Sequence, residues 1–293
     1  MRRLNYNMVI HGLQKTTLLD YPGHIACTIF FGRCNLRCPF CHNMELVTNP
    51  EHFPTFQVDE ILKFLNERKG KLNGVAITGG EPLLNKDIGE LLKPIKELGY
   101  PIKLDTNGFF PEMIEKLIDE DLVDMFAMDI KSGFTNYLKV SGVGASDNVG
   151  AKHCEPAMVG SNENVEANAC GAHRRGELCE PVDIVGATHR EPVVASYASN
   201  NWKQKLEKSI SLLINRAPDY EFRTTCVKGL HTESDFHEIK EIIKGAKKYF
   251  LQNYKAGPGM ENLPFKPFLR EELERFADIV RDSVGRVDIR GVD

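Results

Sequence analysis

Short apolar segments alternate with amphipathic segments along most of this 293-residue chain, and this alternation restricts its fold more than any other feature. The predicted strands cover residues 24–32, 73–78, 101–105, 123–129, 220–227, 249–252 and 287–290. Helical spacing of apolar residues marks 58–65, 88–95, 202–213, 233–244 and 269–280, and Pro111 opens one more helix. Strands that alternate with helices of this length form parallel sheets, so the sequence predicts an α/β fold.

Polar residues or glycines follow several of the predicted strands, as at Gly79, Asp105, Asp129 and Lys228. In parallel α/β folds the carboxyl ends of the strands meet at one edge of the sheet, and ligands bind at that edge. We therefore expect motifs that lie far apart in the chain to form a single site.

Residues 144–200 interrupt this pattern. They contain one leucine, one isoleucine and no phenylalanine, and they show neither helical nor strand periodicity. A long insertion costs a folded domain little, since the entropy of closing a loop grows only with the logarithm of its length. We interpret 1–143 together with 201–293 as one domain, and 144–200 as a poorly structured insertion on its surface.

The predicted insertion contains Cys154, Cys170 and Cys179, together with three histidines. A zinc site or an accessory cluster is one interpretation, because thiolate and imidazole are common ligands of such metals. The alternative is that these cysteines bind nothing, since their spacing lacks the paired C-x2-C pattern of zinc knuckles.

Three further cysteines, Cys34, Cys38 and Cys41, form a C-x3-C-x2-C pattern directly after the first predicted strand. Thiolates favour iron–sulfur clusters, zinc or Cu(I), and such sites usually have four ligands. A local set of three predicts a metal position that stays open to substrate. A structural zinc site completed by His42 or a distant residue is the alternative.

Composition and charge exclude several classes of protein. The net charge is −4 and the sequence contains no basic block, so nothing predicts binding to nucleic acid. No apolar run approaches 18 residues, and no apolar segment typical of a signal peptide follows the first residues. We expect a cytoplasmic protein with no membrane partner, and in that reducing compartment clustered cysteines bind metals more often than they form disulfides.

The cysteine pattern, with Phe40 just before its last cysteine, resembles the signature of radical S-adenosylmethionine (SAM) enzymes. The run Gly79-Gly80-Glu81-Pro82 after the second predicted strand agrees with it. The opening segments GLQKTT at 12–17 and LDYPG at 19–23 resemble glycyl-radical-enzyme activating proteins, most closely the type that activates anaerobic ribonucleoside-triphosphate reductase. The resemblance covers about residues 8–142 and 201–293.

This resemblance implies a partial (β/α)6 barrel of parallel strands, similar to an open TIM barrel. It also implies a four-iron, four-sulfur cluster held by Cys34, Cys38 and Cys41, whose fourth iron binds S-adenosylmethionine. Reductive cleavage would give a 5′-deoxyadenosyl radical that takes a hydrogen atom from a glycine of a glycyl-radical enzyme. A flavodoxin- or ferredoxin-type protein would donate the electron.

The resemblance further implies nine residues that bind or lie beside the cofactor: Phe40, Gly79, Gly80, Glu81, Asp105, Asn107, Asp129, Lys131 and Arg223. Each group has a simpler interpretation. The glycines suit a plain strand-to-helix turn, and Asn107-Gly108 suits an Asx turn. Asp129 and Lys131 could form an ordinary surface ion pair, and Arg223 could be a surface arginine of its strand. No residue is assigned a catalytic role.

Two other functions fit the same motifs. One is a radical SAM enzyme that acts on a small molecule, for example of the deazaguanine-synthase type. The other is a non-catalytic iron–sulfur or zinc protein, in which each metal would have four protein ligands. The opening segments GLQKTT and LDYPG favour the activating enzyme over the small-molecule enzyme. The glycine-rich companion motif and the count of three cysteines weigh against the non-catalytic protein.

Overall fold

The computed structural model describes residues 8–143, 201–257, 260 and 263–292. The predicted insertion at 144–200, with its three cysteines, lies outside the described residues.

The described residues form one eight-stranded open sheet in which the strands follow each other in chain order. Its strands are β1 (Ile10–Thr17), β2 (Ala26–Phe31), β3 (Gly74–Gly79), β4 (Ile102–Thr106), β5 (Met125–Asp129), β6 (Tyr220–Cys226), β7 (Tyr249–Asn253) and β8 (Val287–Arg290). Strand β1 pairs antiparallel to β2, and every later pair is parallel. The predicted α/β partial barrel is confirmed, with one additional strand at each edge of the six parallel strands β2–β7.

Strand β1 is absent from the sequence prediction. Its sequence IHGLQKTT holds few apolar residues, and most of its side chains are partly or fully exposed. An edge strand needs little apolar surface, because only one of its sides pairs with the sheet.

Among the described residues, eight α-helices connect or flank the strands. They are α1 (Met44–Thr48), α2 (Val58–Glu67), α3 (Gly89–Glu97), α4 (Pro111–Asp119), α5 (Tyr137–Ser141), α6 (Trp202–Arg216), α7 (Glu233–Ile242) and α8 (Arg270–Val280). The six longer helices confirm the predicted pattern. Helices α1 and α5 have five residues each, too few to show helical periodicity in a sequence.

The two faces of the sheet differ in polarity. Alternate residues such as Ile77, Leu104 and Phe222 are buried in one hydrophobic core together with residues of the longer helices. The opposite face of the sheet holds polar residues and is called the inner face below. Residues that pair across neighbouring strands lie on the same face of the sheet. Asp129 of β5 pairs with Arg223 of β6, and Ala76 of β3 pairs with Lys103 of β4. A polar inner face therefore runs across the sheet below the carboxyl ends of the strands.

No helix among the described residues is long and apolar enough to cross a membrane.

Candidate cluster and cofactor site

The cysteine-rich loop connects β2 to α1, at the carboxyl end of the sheet. Cys38 is buried, Cys34 and Cys41 are partly buried, and all three are free thiols. Tight turns shape the loop, since the Cys41 amide donates to the Cys38 carbonyl (3.0 Å) and the Met44 amide to the Cys41 carbonyl (3.3 Å). The three sulfur atoms thus sit on one compact segment.

Burial controls the ionisation of these thiols. It raises the pKa of Cys34 and Cys41 above the ordinary value, and it raises that of Cys38 to about 11 although Lys131 lies near. A thiol in such surroundings is neutral until a metal displaces its proton, and the metal then supplies the charge that the buried thiolate lacks.

Gly79 and Gly80 let the end of β3 approach the root of the cysteine loop. A Cβ atom on Gly80 would lie 1.8 Å from the Arg33 carbonyl oxygen, and one on Gly79 would lie 2.2 Å from the Phe31 carbonyl oxygen. Gly79 also has a positive φ of 121°. The amides of Gly80 and Glu81 donate to the carbonyls of Phe31 (2.7 Å) and Arg33 (2.9 Å). The glycine pair therefore packs against protein backbone, and a contact with the cofactor stays a prediction.

Glu81 is fully buried and joins the end of β3 to the end of β4. Its Oε1 accepts from the Leu83 amide (3.0 Å) and the Thr106 hydroxyl (2.9 Å), and its Oε2 accepts from the Asn107 amide (2.7 Å). Burial raises the pKa of this carboxyl to about 7, although the three hydrogen-bond donors favour its ionised form. The side chain thus positions the loop that carries Asn107, and its predicted contact with the ligand stays a prediction.

We expect the change Glu81→Gln to lower the free energy of unfolding by about 1–3 kcal/mol, the cost of a buried hydrogen bond left without its acceptor. A carboxamide has one oxygen, so its NH2 group would face the Asn107 amide. Urea unfolding of the purified proteins measures this cost. The matched control is Glu112→Gln on an exposed helix surface, where we expect almost no change. Equal unfolding midpoints for Glu81→Gln and the unmodified chain would contradict the role of Glu81 as a buried hydrogen-bond acceptor.

Asn107 reaches the cysteine loop from the end of β4. Its Nδ2 donates to Asn35 Oδ1 (2.7 Å) and lies 3.7 Å from the sulfur atom of Cys34. Its Oδ1 accepts from the Phe109 amide (3.1 Å). This bond forms the Asx turn that was the simpler interpretation of Asn107-Gly108. The turn and the contact with Cys34 therefore occur together, because the turn fixes which way the amide points.

Five charged side chains form a continuous ion ladder on the inner face: Lys103, Asp105, Arg223, Asp129 and Lys131. Arg223 connects the two aspartates, with Nε 2.9 Å from Asp129 Oδ1 and Nη2 3.4 Å from Asp105 Oδ2. Lys131 lies 2.9 Å from the other oxygen of Asp129, and Lys103 pairs with Asp105. Three cations against two anions leave one surplus positive charge, which an anionic ligand group can neutralise.

The ladder also fixes the ionisation of its aspartates. Burial by itself would raise the pKa of Asp129 and Asp105, but the Arg223 guanidinium and the neighbouring lysines outweigh it and hold both pKa values below the usual range. Both carboxyls are therefore charged at neutral pH. The alternative of a surface arginine does not describe Arg223, whose side chain is only 12% exposed.

Phe40 is buried and lies in the hydrophobic core. Its ring meets the ring of His231 edge-on at 6.3 Å. The structure thus places Phe40 beside the cysteines, and its contact with the cofactor stays a prediction.

Three residues near the site were not predicted from the sequence. Asn43 Nδ2 donates to the Gly79 carbonyl (2.7 Å), which ties the cysteine loop to the glycine pair. His231 is buried, its Nδ1 accepts from the Val227 amide, and its Nε2 lies 2.8 Å from the Lys131 carbonyl. Lys103 lies buried within β4. The spacing of Lys103 and Asp105 could have predicted that they share a face of the sheet, because alternate residues of a strand do so.

The donor set fits an iron–sulfur cluster, since three thiols lie close together on one loop and thiolate is the preferred ligand of such clusters. Each cysteine of a cluster binds a different iron, so the three sulfur atoms need not surround one ion. Within the described ranges, no group of three or more Cys, His, Asp or Glu side chains is placed to hold a single metal ion.

Comparison with known proteins decides the family. The chain matches the model described as the radical SAM superfamily over residues 28–149. A protein of Methanocaldococcus jannaschii named "Putative glycyl-radical enzyme activating enzyme" is 38% identical over 289 residues, 97% of each chain. This chain belongs to the glycyl-radical-enzyme activating family of radical SAM enzymes. A pyruvate formate-lyase-activating enzyme of Clostridium pasteurianum is 29% identical over 239 residues, 70% of this activating enzyme and 98% of the relative.

Solved structures agree on the fold. Streptococcus suis SuiB bound to S-adenosylmethionine matches this activating enzyme with a TM-score of 0.54 and 15% identity, over 90% of this chain and 52% of SuiB. SuiB bound to its precursor peptide SuiA gives a TM-score of 0.55 at 14% identity, over 89% of this chain and 47% of SuiB. At such identity the likeness shows the fold alone. Radical SAM enzymes use a four-iron, four-sulfur cluster and S-adenosylmethionine, and both are cofactors of this enzyme.

Proposed function

We propose that this enzyme installs a glycyl radical on a partner protein, and that Cys34, Cys38 and Cys41 hold its cluster. The observation that carries the proposal is the 38% identity to a relative named as a glycyl-radical enzyme activating enzyme, over nearly the whole of both chains. The free thiols on one loop and the charged inner face beside them support it.

Held by Cys34, Cys38 and Cys41, the cluster would supply one electron for the cleavage of S-adenosylmethionine to methionine and 5′-deoxyadenosine, the latter formed with a hydrogen atom from the partner's glycine. The protein binds and orients the reactants. We propose that Lys131 carries the surplus positive charge of the ion ladder and binds the carboxylate of S-adenosylmethionine. Gly79, Gly80, Asp105 and Asn107 line the same edge of the sheet.

The partner we propose is an anaerobic ribonucleoside-triphosphate reductase, and the segments GLQKTT at 12–17 and LDYPG at 19–23 support this choice. The glycine-bearing segment of that partner would reach the inner face between the edge strands β1 and β8, which do not pair with each other in the described sheet. A flavodoxin- or ferredoxin-type donor in a reducing cytoplasm would supply the electron. The small-molecule alternative predicts 5′-deoxyadenosine without a protein radical.

Electron paramagnetic resonance tests the function directly. The full chain is reconstituted with iron and sulfide under anaerobic conditions, reduced with dithionite and mixed with S-adenosylmethionine and purified anaerobic ribonucleotide reductase. We expect a glycyl-radical doublet, and none with a reductase whose radical-site glycine is replaced by alanine. Pyruvate formate-lyase serves as the competing partner. Formation of 5′-deoxyadenosine without a doublet on either protein would count against the proposal.

A further inference from the structure

Two buried side chains beside the cysteines carry a hydrogen-bond donor that no protein atom of the described residues accepts. They are the Asn35 carboxamide, through Nδ2, and the Tyr137 hydroxyl. Asn35 is 5% exposed and Tyr137 is fully buried. Buried donors in proteins nearly always have a partner, because an unmade hydrogen bond costs about 1–3 kcal/mol. Both groups therefore point to an acceptor that the described residues do not provide.

The orientation of Asn35 is fixed by its neighbour. Its Oδ1 accepts from Asn107 Nδ2 (2.7 Å), and the Asn107 side chain is itself held by the Phe109 amide. The Asn35 amide cannot flip without losing this bond, so its NH2 group faces away from Asn107. Asn35 follows Cys34 directly in the chain, and Asn107 also lies within 3.7 Å of the Cys34 sulfur.

Tyr137 is positioned by α5, which packs on the cysteine loop. At the end of this helix the Ser141 carbonyl accepts from the Arg37 amide (3.0 Å) and lies 3.5 Å from the Cys38 sulfur. The Tyr137 ring is packed between aromatic neighbours, with Trp202 stacked at 5.2 Å and Phe109 at 6.4 Å.

The hydroxyl belongs to the helix that contacts Cys38, since the Cys38 sulfur lies 3.5 Å from the Ser141 carbonyl at the end of α5. Lys131 and Asp129 also lie near the hydroxyl. A backbone group of Lys131 also lies near the hydroxyl and favours the ionised form of the phenol. Only an N–H donor stabilises that form, so this backbone group cannot accept the hydroxyl proton. Lys131 itself is paired with Asp129. The described residues offer this proton no acceptor, and the cysteine sulfur atoms belong to the loop that α5 contacts.

We propose that Tyr137 and Asn35 donate hydrogen bonds to sulfur atoms of the cluster held by Cys34, Cys38 and Cys41, and thereby raise its reduction potential. The inference rests on the cluster assignment of the proposed function and does not depend on the identity of the partner. The reduced cluster carries one more negative charge than the oxidised one, so a donor stabilises it more. Hydrogen bonds to sulfur are one of the properties that set the potential of such clusters. Both side chains are positioning residues and neither reacts.

The test is a redox titration of the reconstituted full chain, followed by electron paramagnetic resonance in the absence of S-adenosylmethionine. We expect Tyr137→Phe to lower the ratio of reduced to oxidised cluster about tenfold at a fixed potential, equivalent to ~59 mV for one electron. Asn35→Ala should shift the potential in the same direction. The exchangeable proton coupling seen by electron–nuclear double resonance should weaken in Tyr137→Phe, which a purely structural role of the hydroxyl would not cause.

The matched control is Tyr100→Phe, because the Tyr100 hydroxyl donates to the Leu65 carbonyl (2.8 Å) under helix α2. This variant loses a buried hydrogen bond of the same kind and should keep the potential of the unmodified protein. Potentials for Tyr137→Phe and Asn35→Ala equal to that of the unmodified protein, at full iron content, would overturn the inference alone. An unmodified protein that binds no iron and sulfide would overturn both the inference and the proposed function.

Discussion

Replacing Cys34, Cys38 or Cys41 by alanine, one at a time, should lower the rate of S-adenosylmethionine cleavage at least about 10³-fold, equivalent to about 4 kcal/mol in the activation barrier. Two thiolates cannot hold a cluster that needs three, and each sulfur here belongs to one short loop with no spare cysteine among its residues. Iron and sulfide content should fall together with activity. The measurement is 5′-deoxyadenosine released after reduction with dithionite.

Cys226→Ala is the control for this series. Cys226 is fully buried in β6, and its thiol contacts the Thr224 carbonyl rather than the cysteine loop. We expect unchanged iron content and nearly unchanged cleavage. A Cys38→Ala protein with the iron content of the unmodified enzyme would remove Cys38 from the cluster site.

The change Arg223→Met should lower the free energy of unfolding by about 3 kcal/mol, near the lower end of the cost of breaking a buried ion pair. It leaves Asp105 and Asp129 facing each other without the cation between them, and both carboxylates are about three-quarters or more shielded from water. Lys103 and Lys131 still pair with them, which limits the loss. Urea unfolding at pH 7 measures the effect.

Arg216→Met provides the matched control. Arg216 also contacts two carboxylates, Glu115 and Asp119, but its side chain is 40% exposed. Exposed ion pairs contribute about 0–1 kcal/mol, so this change should cost less than about 1 kcal/mol. Similar losses for the two arginines would contradict a buried ladder.

The pH dependence of the Arg223 effect follows from the depressed pKa of its partners. A carboxyl whose pKa is lower in the folded state contributes stability above its ordinary pKa, and that stability is lost as pH falls toward the folded value. The difference between the unmodified protein and Arg223→Met should therefore be full at neutral pH and shrink below about pH 4. A difference that grows with acidification would contradict this assignment.

Much of the fold followed from local pattern. Strands such as 220–227 and helices such as 233–244 were predictable because burial on one side imposes a period of two or of 3.6 residues. Strand β1 and helices α1 and α5 were not predicted, because an edge strand and a single turn of helix need little such pattern. Helix α5 nevertheless places Ser141 against the cysteine loop and packs Tyr137 on Trp202.

The sequence by itself determined the residue types of the candidate site, because the cysteine spacing and the glycine pair lie within short segments that predict a thiolate-bound metal and a tight turn. The tertiary structure alone decided how distant charges are paired. Asp105 and Arg223 are 118 residues apart, on β4 and β6, and both approach Asp129 of β5, which the parallel pairing sets beside Arg223. Lys103 joins them from β4, the strand of Asp105. Register depends on packing across the whole sheet, so no local pattern could have shown which charged residues of neighbouring strands face each other.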